Sequence, residues 1–178
     1  MEEIRSRRSL LRTAGLLAPL AFTPLRALAR APVRELRFYH THTSEKLDVV
    51  YAEHGAYLPE ALSRIDYLLR DFRSGDVHAI DPRLLDILAA VQARTGSTGR
   101  YEVISGFRSP ATNAMLRQRS SGVASRSLHL DGQAIDVRLP GTSTRQLRQA
   151  AILLGQGGVG YYPTDDFVHL DTGRVRTW

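Results

Sequence analysis

The order in which the hydrophobic periodicities change along the chain does most to limit its fold. Glu35–His40 and Leu47–Tyr51 are β-rich runs joined by polar residues and read as a hairpin. Pro59–Phe72 then sets Leu62, Ile65, Leu69 and Phe72 at helical spacing. Asp81-Pro82 opens a second helix through Leu84, Leu85, Leu88 and Val91, which Gly96 stops. A strand at Tyr101–Ser105 follows, then a helix from Ser109-Pro110 with Ala114 and Met115 inward, and a loop around Ser120–Ser127. Ala134–Leu139 reads as a strand, Ser143–Leu154 as a helix, and Val159–Tyr162 and Phe167–Asp171 as a final pair of strands. Helices clustered first and strands later predict an α+β class rather than a βαβ parallel fold. A chain of 178 residues provides one domain and at most an appendage.

That appendage is the amino terminus. Residues 1–12 are basic, Thr13–Leu25 are almost wholly apolar, and Ala27-Leu28-Ala29 supplies the small-x-small pattern of a cleavage site. The apolar stretch is broken by Pro19 and Pro24 and falls short of the roughly 20 residues that span a bilayer. The order is that of a secretory signal over residues 1–29, and the prolines argue against a helix packed on the domain. Ser6-Arg7-Arg8-Ser9-Leu10-Leu11 resembles the twin-arginine consensus. A mature domain over residues 30–178, exported to the periplasm and without a lipid anchor, is the expectation.

Charge and cysteine count narrow the function classes. Residues 1–29 hold five arginines against Glu2 and Glu3, half of the formal net charge of +6. The remaining excess is modest and forms no basic block interleaved with aromatics, so nucleic acid is not an expected partner. With no cysteine, the chain has no disulfide framework, no thiolate nucleophile and no thiolate metal site. Any bound metal needs His, Asp or Glu.

Gly155-Gln156-Gly157-Gly158-Val159-Gly160 satisfies the dinucleotide pattern G-x-G-x-x-G, but it follows a helix and enters a strand. A phosphate cradle needs the opposite order, so the run reads as a flexible connection. It would also let an extended peptide come close to the backbone.

Two of the six histidines have suggestive surroundings. Ser127-Leu128-His129 leads through Asp131-Gly132 to Asp136, and Asp166-Phe167-Val168-His169 leads to Asp171. Imidazole and carboxylate set among apolar residues cost about several kcal/mol unless paired, hydrogen-bonded or metallated. His129, Asp136 and His169 are able to converge on one ion, leaving a fourth position open as catalytic zinc sites do. On spacing alone, paired structural residues are the favoured reading over a metal site. His40 and His42 share one strand face and read as the exposed side of an edge hairpin, with a second metal pair as the alternative. His54 and His78 fall in loops.

Taken in order, Ser105-Gly106-Phe107-Arg108-Ser109, Ser127-x-His129-x6-Asp136 and His169-x-Asp171 resemble the zinc D-Ala-D-Ala carboxypeptidase and murein endopeptidase superfamily. The run Gly157–Pro163, Phe167-Val168-His169, Asp171-Thr172-Gly173, Phe72-Arg73, Asp81-Pro82 and Trp178 resemble its murein endopeptidase K group in particular. The likeness extends from about Leu36 to Trp178.

The resemblance implies one domain with helices packed on a small, mainly antiparallel sheet, of the hedgehog/DD-peptidase type. It implies His129, Asp136 and His169 as zinc ligands, and Arg108 in the cleft holding the substrate carbonyl or oxyanion. Ser127 then hydrogen-bonds a substrate terminus or caps its own loop. Asp166 is the general base at the offset some relatives use, or a residue of a solvated turn. Asp171, on the strand face of His169, orients its imidazole. The implied activity is hydrolysis of peptidoglycan cross-links, at the L,D-bond between two diaminopimelate residues, by a monomeric periplasmic peptidase. A carboxypeptidase acting on stem peptides and a non-catalytic metal-bound peptidoglycan-binding module are the alternatives.

Overall fold

Leu36, Phe38 and His40 share the buried face of β1 (Arg34–His40), and Leu47, Val49 and Tyr51 share that of β2 (Lys46–Glu53). Successive strand residues point to opposite faces, so this alternation seats one side of the hairpin on a core. The two strands pair antiparallel with Phe38 opposite Leu47, and a short β3 (Ala56–Tyr57) adds to β2. The computed structural model describes residues 32–119, 122 and 124–178. The signal expected over residues 1–29 lies outside them. Among the described residues, no helix is long and apolar enough to cross a membrane.

The helix α1 (Pro59–Leu68) stops before Phe72, short of the expected end. Asp71 ends it: its carboxylate accepts the N–H groups of Arg73 and Ser109, each at 2.9 Å, and folds the chain into a turn. Asp81 caps α2 (Pro82–Thr95) by accepting the Arg83 N–H at 3.0 Å. After β4 (Tyr101–Ser105) comes α3 (Pro110–Arg119), which buries Thr112 and Asn113 and leaves Ala114 exposed. The inward face of α3 is thus polar rather than the expected Ala114 and Met115. Asn113 spends its amide on Arg108 and on the Ala124 carbonyl.

A 3-10 turn (Leu128–Asp131) precedes β5 (Ala134–Arg138). Ser143 and Gln146 form a reciprocal capping box on α4 (Thr144–Leu154). The strands β6 (Gly158–Tyr162), β7 (Phe167–Asp171) and β8 (Arg176–Thr177) close the chain. All eight strands join one sheet in the order β3-β2-β1-β4-β5-β7-β6-β8. Five of its pairings are antiparallel, and β1–β4 and β6–β8 are parallel. The α+β class and the mainly antiparallel sheet therefore hold. The glycine run is half connection and half strand, since Gly158 and Gly160 belong to β6.

The core lies between the sheet and α1, α2 and α4, centred on Phe38, Tyr101, Val103, Leu84, Leu88, Ile135, Val137 and Leu147. Position in the sheet also corrects the reading of His40. β1 is not an edge but lies between β2 and β4, and His40 is completely buried. Burial pushes its imidazole down to about 4, and the neutral ring accepts the His42 N–H at Nδ1. His42 stacks flat on Phe72 with 4.0 Å between ring centroids.

Candidate metal centre

Strand alternation and register bring the site together. Ile135, Val137, Val168 and Leu170 enter the apolar core, so Asp136 on β5 and His169 and Asp171 on β7 face the other side of the sheet. Asp136 and His169 are direct cross-strand partners. Ser105 flanks Asp136 on β4, and Gly160 flanks His169 on β6. The third residue, His129, arrives on the 3-10 turn and is 3% exposed. The loop after β4 supports that turn: the Arg108 N–H donates to the His129 carbonyl at 3.0 Å.

Three side-chain atoms meet at the centre. His169 Nδ1 lies 2.8 Å from Asp136 Oδ1, and His129 Nε2 lies 3.3 Å from both of them. Among the described residues, this is the group of three or more His, Asp or Glu side chains able to share one ion. The outer ring nitrogens are committed elsewhere. His129 Nδ1 is 2.7 Å from the Gly106 carbonyl, and His169 Nε2 is 3.1 Å from Asp171 Oδ2. Both partners accept only, so those outer nitrogens carry protons, and the inner nitrogens face the centre as the atoms that would hold a metal. Asp171 is itself held by the Gly158 and Gly173 N–H groups and by a two-point pair with Arg176.

The electrostatics describe a centre that attracts positive charge. Desolvation pushes the buried Asp136 carboxyl up, but the imidazoles of His129 and His169 outweigh it and hold the group well below the usual carboxylate range. For His169, burial acts downward, and its hydrogen bonds to Asp136 and Asp171 raise it to about 9. Desolvation likewise acts upward on Asp171, which His169 and Arg176 keep far below its ordinary value. The donor set fits zinc. Tetrahedral bonds of about 2.0–2.1 Å place neighbouring donors about 3.3 Å apart, close to the spacings seen here.

The cluster forms part of the wall of a cleft of about 520 Å³ that also includes Arg108, Ser127, Tyr162, Asp165 and Trp178. Arg108 Nη2 stands 3.9 Å from Asp136 Oδ2, and its Nε is buried with no partner among the described residues. Burial lowers this guanidinium, with Asp136 opposing the shift. Ser127 precedes the 3-10 turn without capping it through its hydroxyl. The structure does not bring Asp166 to the cluster. Its backbone is left-handed at φ 52, and its carboxylate faces Arg138 at 3.2 Å and Thr144 at 3.3 Å. Its neighbour Asp165 lines the cleft instead, a difference of one turn residue that spacing does not reveal.

Residues 28–178 match the peptidoglycan L,D-endopeptidase MepK family. The chain belongs to that family. A relative from Haemophilus influenzae is 39% identical over 178 residues, covering 98% of this chain and 96% of its own length. The Escherichia coli K12 protein, named peptidoglycan L,D-endopeptidase MepK, is 38% identical over 176 residues, with 97% of each chain covered. A Shigella flexneri protein of the same name has the same identity and coverage. Membership in the MepK family makes this chain a peptidase, and the His129–Asp136–His169 cluster is the part of it suited to metal.

Proposed function

We propose that this chain is a zinc-dependent murein endopeptidase that hydrolyses peptidoglycan cross-links at the L,D-bond between two diaminopimelate residues. The observation that carries the reading is the convergence of His129 Nε2, Asp136 Oδ1 and His169 Nδ1 beside an open cleft, with both outer imidazole nitrogens tied off. Family membership supplies the substrate class.

His129, Asp136 and His169 hold the ion, and Asp171 keeps His169 in the tautomer that presents Nδ1. When bound, zinc supplies Lewis acidity toward the scissile carbonyl and acidifies water. Arg108, whose Nε has no partner among the described residues, steadies the oxygen of the carbonyl as negative charge grows there. Asp165, in the cleft wall, accepts the proton of the attacking water and returns it to the leaving amine. The resemblance offered this role to Asp166, with a residue of a solvated turn as the alternative. Ser127 donates its hydroxyl to a substrate carboxylate. Residues 1–29 direct export to the periplasm by the twin-arginine route and are then removed, leaving a monomer without a membrane anchor.

Digestion of purified sacculi by zinc-loaded protein, with and without chelator, tests the reading. Muropeptide analysis is expected to show dimers joined through two diaminopimelates converted to monomers, and the chelator to abolish this. Binding without release of peptides identifies a binding module. Loss of terminal D-alanine with cross-links intact identifies a carboxypeptidase.

A further inference from the structure

The glycine run that resembles a nucleotide loop sits against the metal cluster, and its neighbours explain its composition. A Cβ on Gly160 would stand 2.7 Å from Cε2 and Cζ2 of Trp178. A Cβ on Gly158 would overlap the Arg176 guanidinium and the Asp171 carboxylate. The space above β6, expected to admit a peptide, is filled by the chain's own Trp178. That indole lies against the imidazole of His169, with 5.2 Å between ring centroids. Its Nε1–H donates to the Tyr162 hydroxyl at 2.9 Å, and its backbone pairs with Val159 and Tyr161.

We propose that Trp178 is a positioning residue for His169. Asp171 and Asp136 hold the two edges of the imidazole through Nε2 and Nδ1, but contacts at the edges leave the ring free to tilt about the line between them. The indole closes the face. The circuit is complete, because the Arg176 guanidinium lies 4.8 Å from the Trp178 ring while forming its two-point pair with Asp171. At Gly158 and Gly160 a side chain would collide with the side chains of this circuit. The inference rests on the metal reading of the proposed function.

Trp178 is the only tryptophan in the chain, so its emission reports directly on the contact. Adding one equivalent of Co(II) to the metal-free protein is expected to produce visible Co(II) absorption and, in parallel, to quench that emission. Absorption with unchanged emission overturns the role of Trp178. No absorption overturns the metal reading itself. Zinc release to a chelator is expected to quicken about tenfold or more in Trp178→Ala and to stay near wild type in Trp178→Phe, the scale of a lost outer-sphere support. Gly160→Ala is expected to quicken release when Trp178 is present and to have little further effect in Trp178→Ala, where the indole atoms nearest the added methyl are gone. Equal effects of Gly160→Ala in both backgrounds, or wild-type release from Trp178→Ala, overturn the proposal. So does a rise in KM alone, which would make Trp178 a wall for substrate. If Trp178→Ala fails to fold, Gly160→Ala and the Co(II) titration decide.

Discussion

His169 donates from Nε2 to Asp171 Oδ2 at 3.1 Å and thereby turns Nδ1 toward Asp136, 2.8 Å away. One residue two places along the same strand thus selects which nitrogen of the imidazole faces the centre. Replacing Asp171 by Asn removes the charge that holds both His169 and Arg176. Zinc affinity is expected to fall about 10–100-fold, as for other outer-sphere partners of metal-bound histidines. Competition with a calibrated chelator measures it.

Arg108 stands beside Asp136, and its buried Nε has no partner among the described residues. Arg108→Gln keeps hydrogen-bonding capacity but loses the charge that meets the oxyanion. We expect kcat to fall about 10²–10³-fold with zinc content unchanged. Steady-state kinetics on isolated cross-linked muropeptides, with metal analysis of the same sample, checks both halves.

Asp165 and Asp166 are adjacent in sequence and face different surroundings. Asp165→Asn is expected to lower kcat about 10²–10⁴-fold by removing the proton carrier. Asp166→Asn retains a side chain that tolerates the left-handed backbone and loses only exposed contacts to Arg138 and Thr144, so activity stays near wild type. The reverse ranking in the same assay would return the role to Asp166.

The raised His169 group sets a pH dependence with a definite sign. Its folded-state value of about 9 lies above the ordinary 6.5, so its stabilisation of the metal-free protein is full below about 6.5 and is lost as pH rises through about 9. Metal-free protein should therefore melt at progressively lower temperature across that window, and zinc-loaded protein should not. Zinc must also displace this proton, so apparent affinity rises with pH up to about 9. Calorimetry of both forms and zinc titrations at several pH values read out the two trends.

Much of the architecture was visible as periodicity. Leu84, Leu85, Leu88 and Val91 marked α2 because a helix buries one stripe, and Asp81-Pro82 marked its start. Ile135, Val137, Val168 and Leu170 marked β5 and β7 because a strand buries alternate residues. These signals are local, and hydrogen bonds to side chains overrode them where α1 ended early at Asp71 and where α3 turned Thr112 and Asn113 inward. The metal-binding trio was visible as residue types, with family likeness rather than spacing favouring a metal.

What spacing along the chain left open was decided by pairing across it. Asp136 meets His169 because β5 and β7 run antiparallel in a register that a shift of one residue would invert. His40 lost its expected exposure because it shares the core-facing side of β1 with Leu36 and Phe38 and has Phe72 against its ring. Asp165 rather than Asp166 reached the cleft through one left-handed residue in a turn. Trp178 reached His169 because β8 runs beside β6, where Gly160 leaves room for an indole. Residue chemistry is written along the chain. Contacts between residues far apart in the chain depend on strand order, register and the space that each packed side chain leaves, and these exist only once the whole sheet has formed.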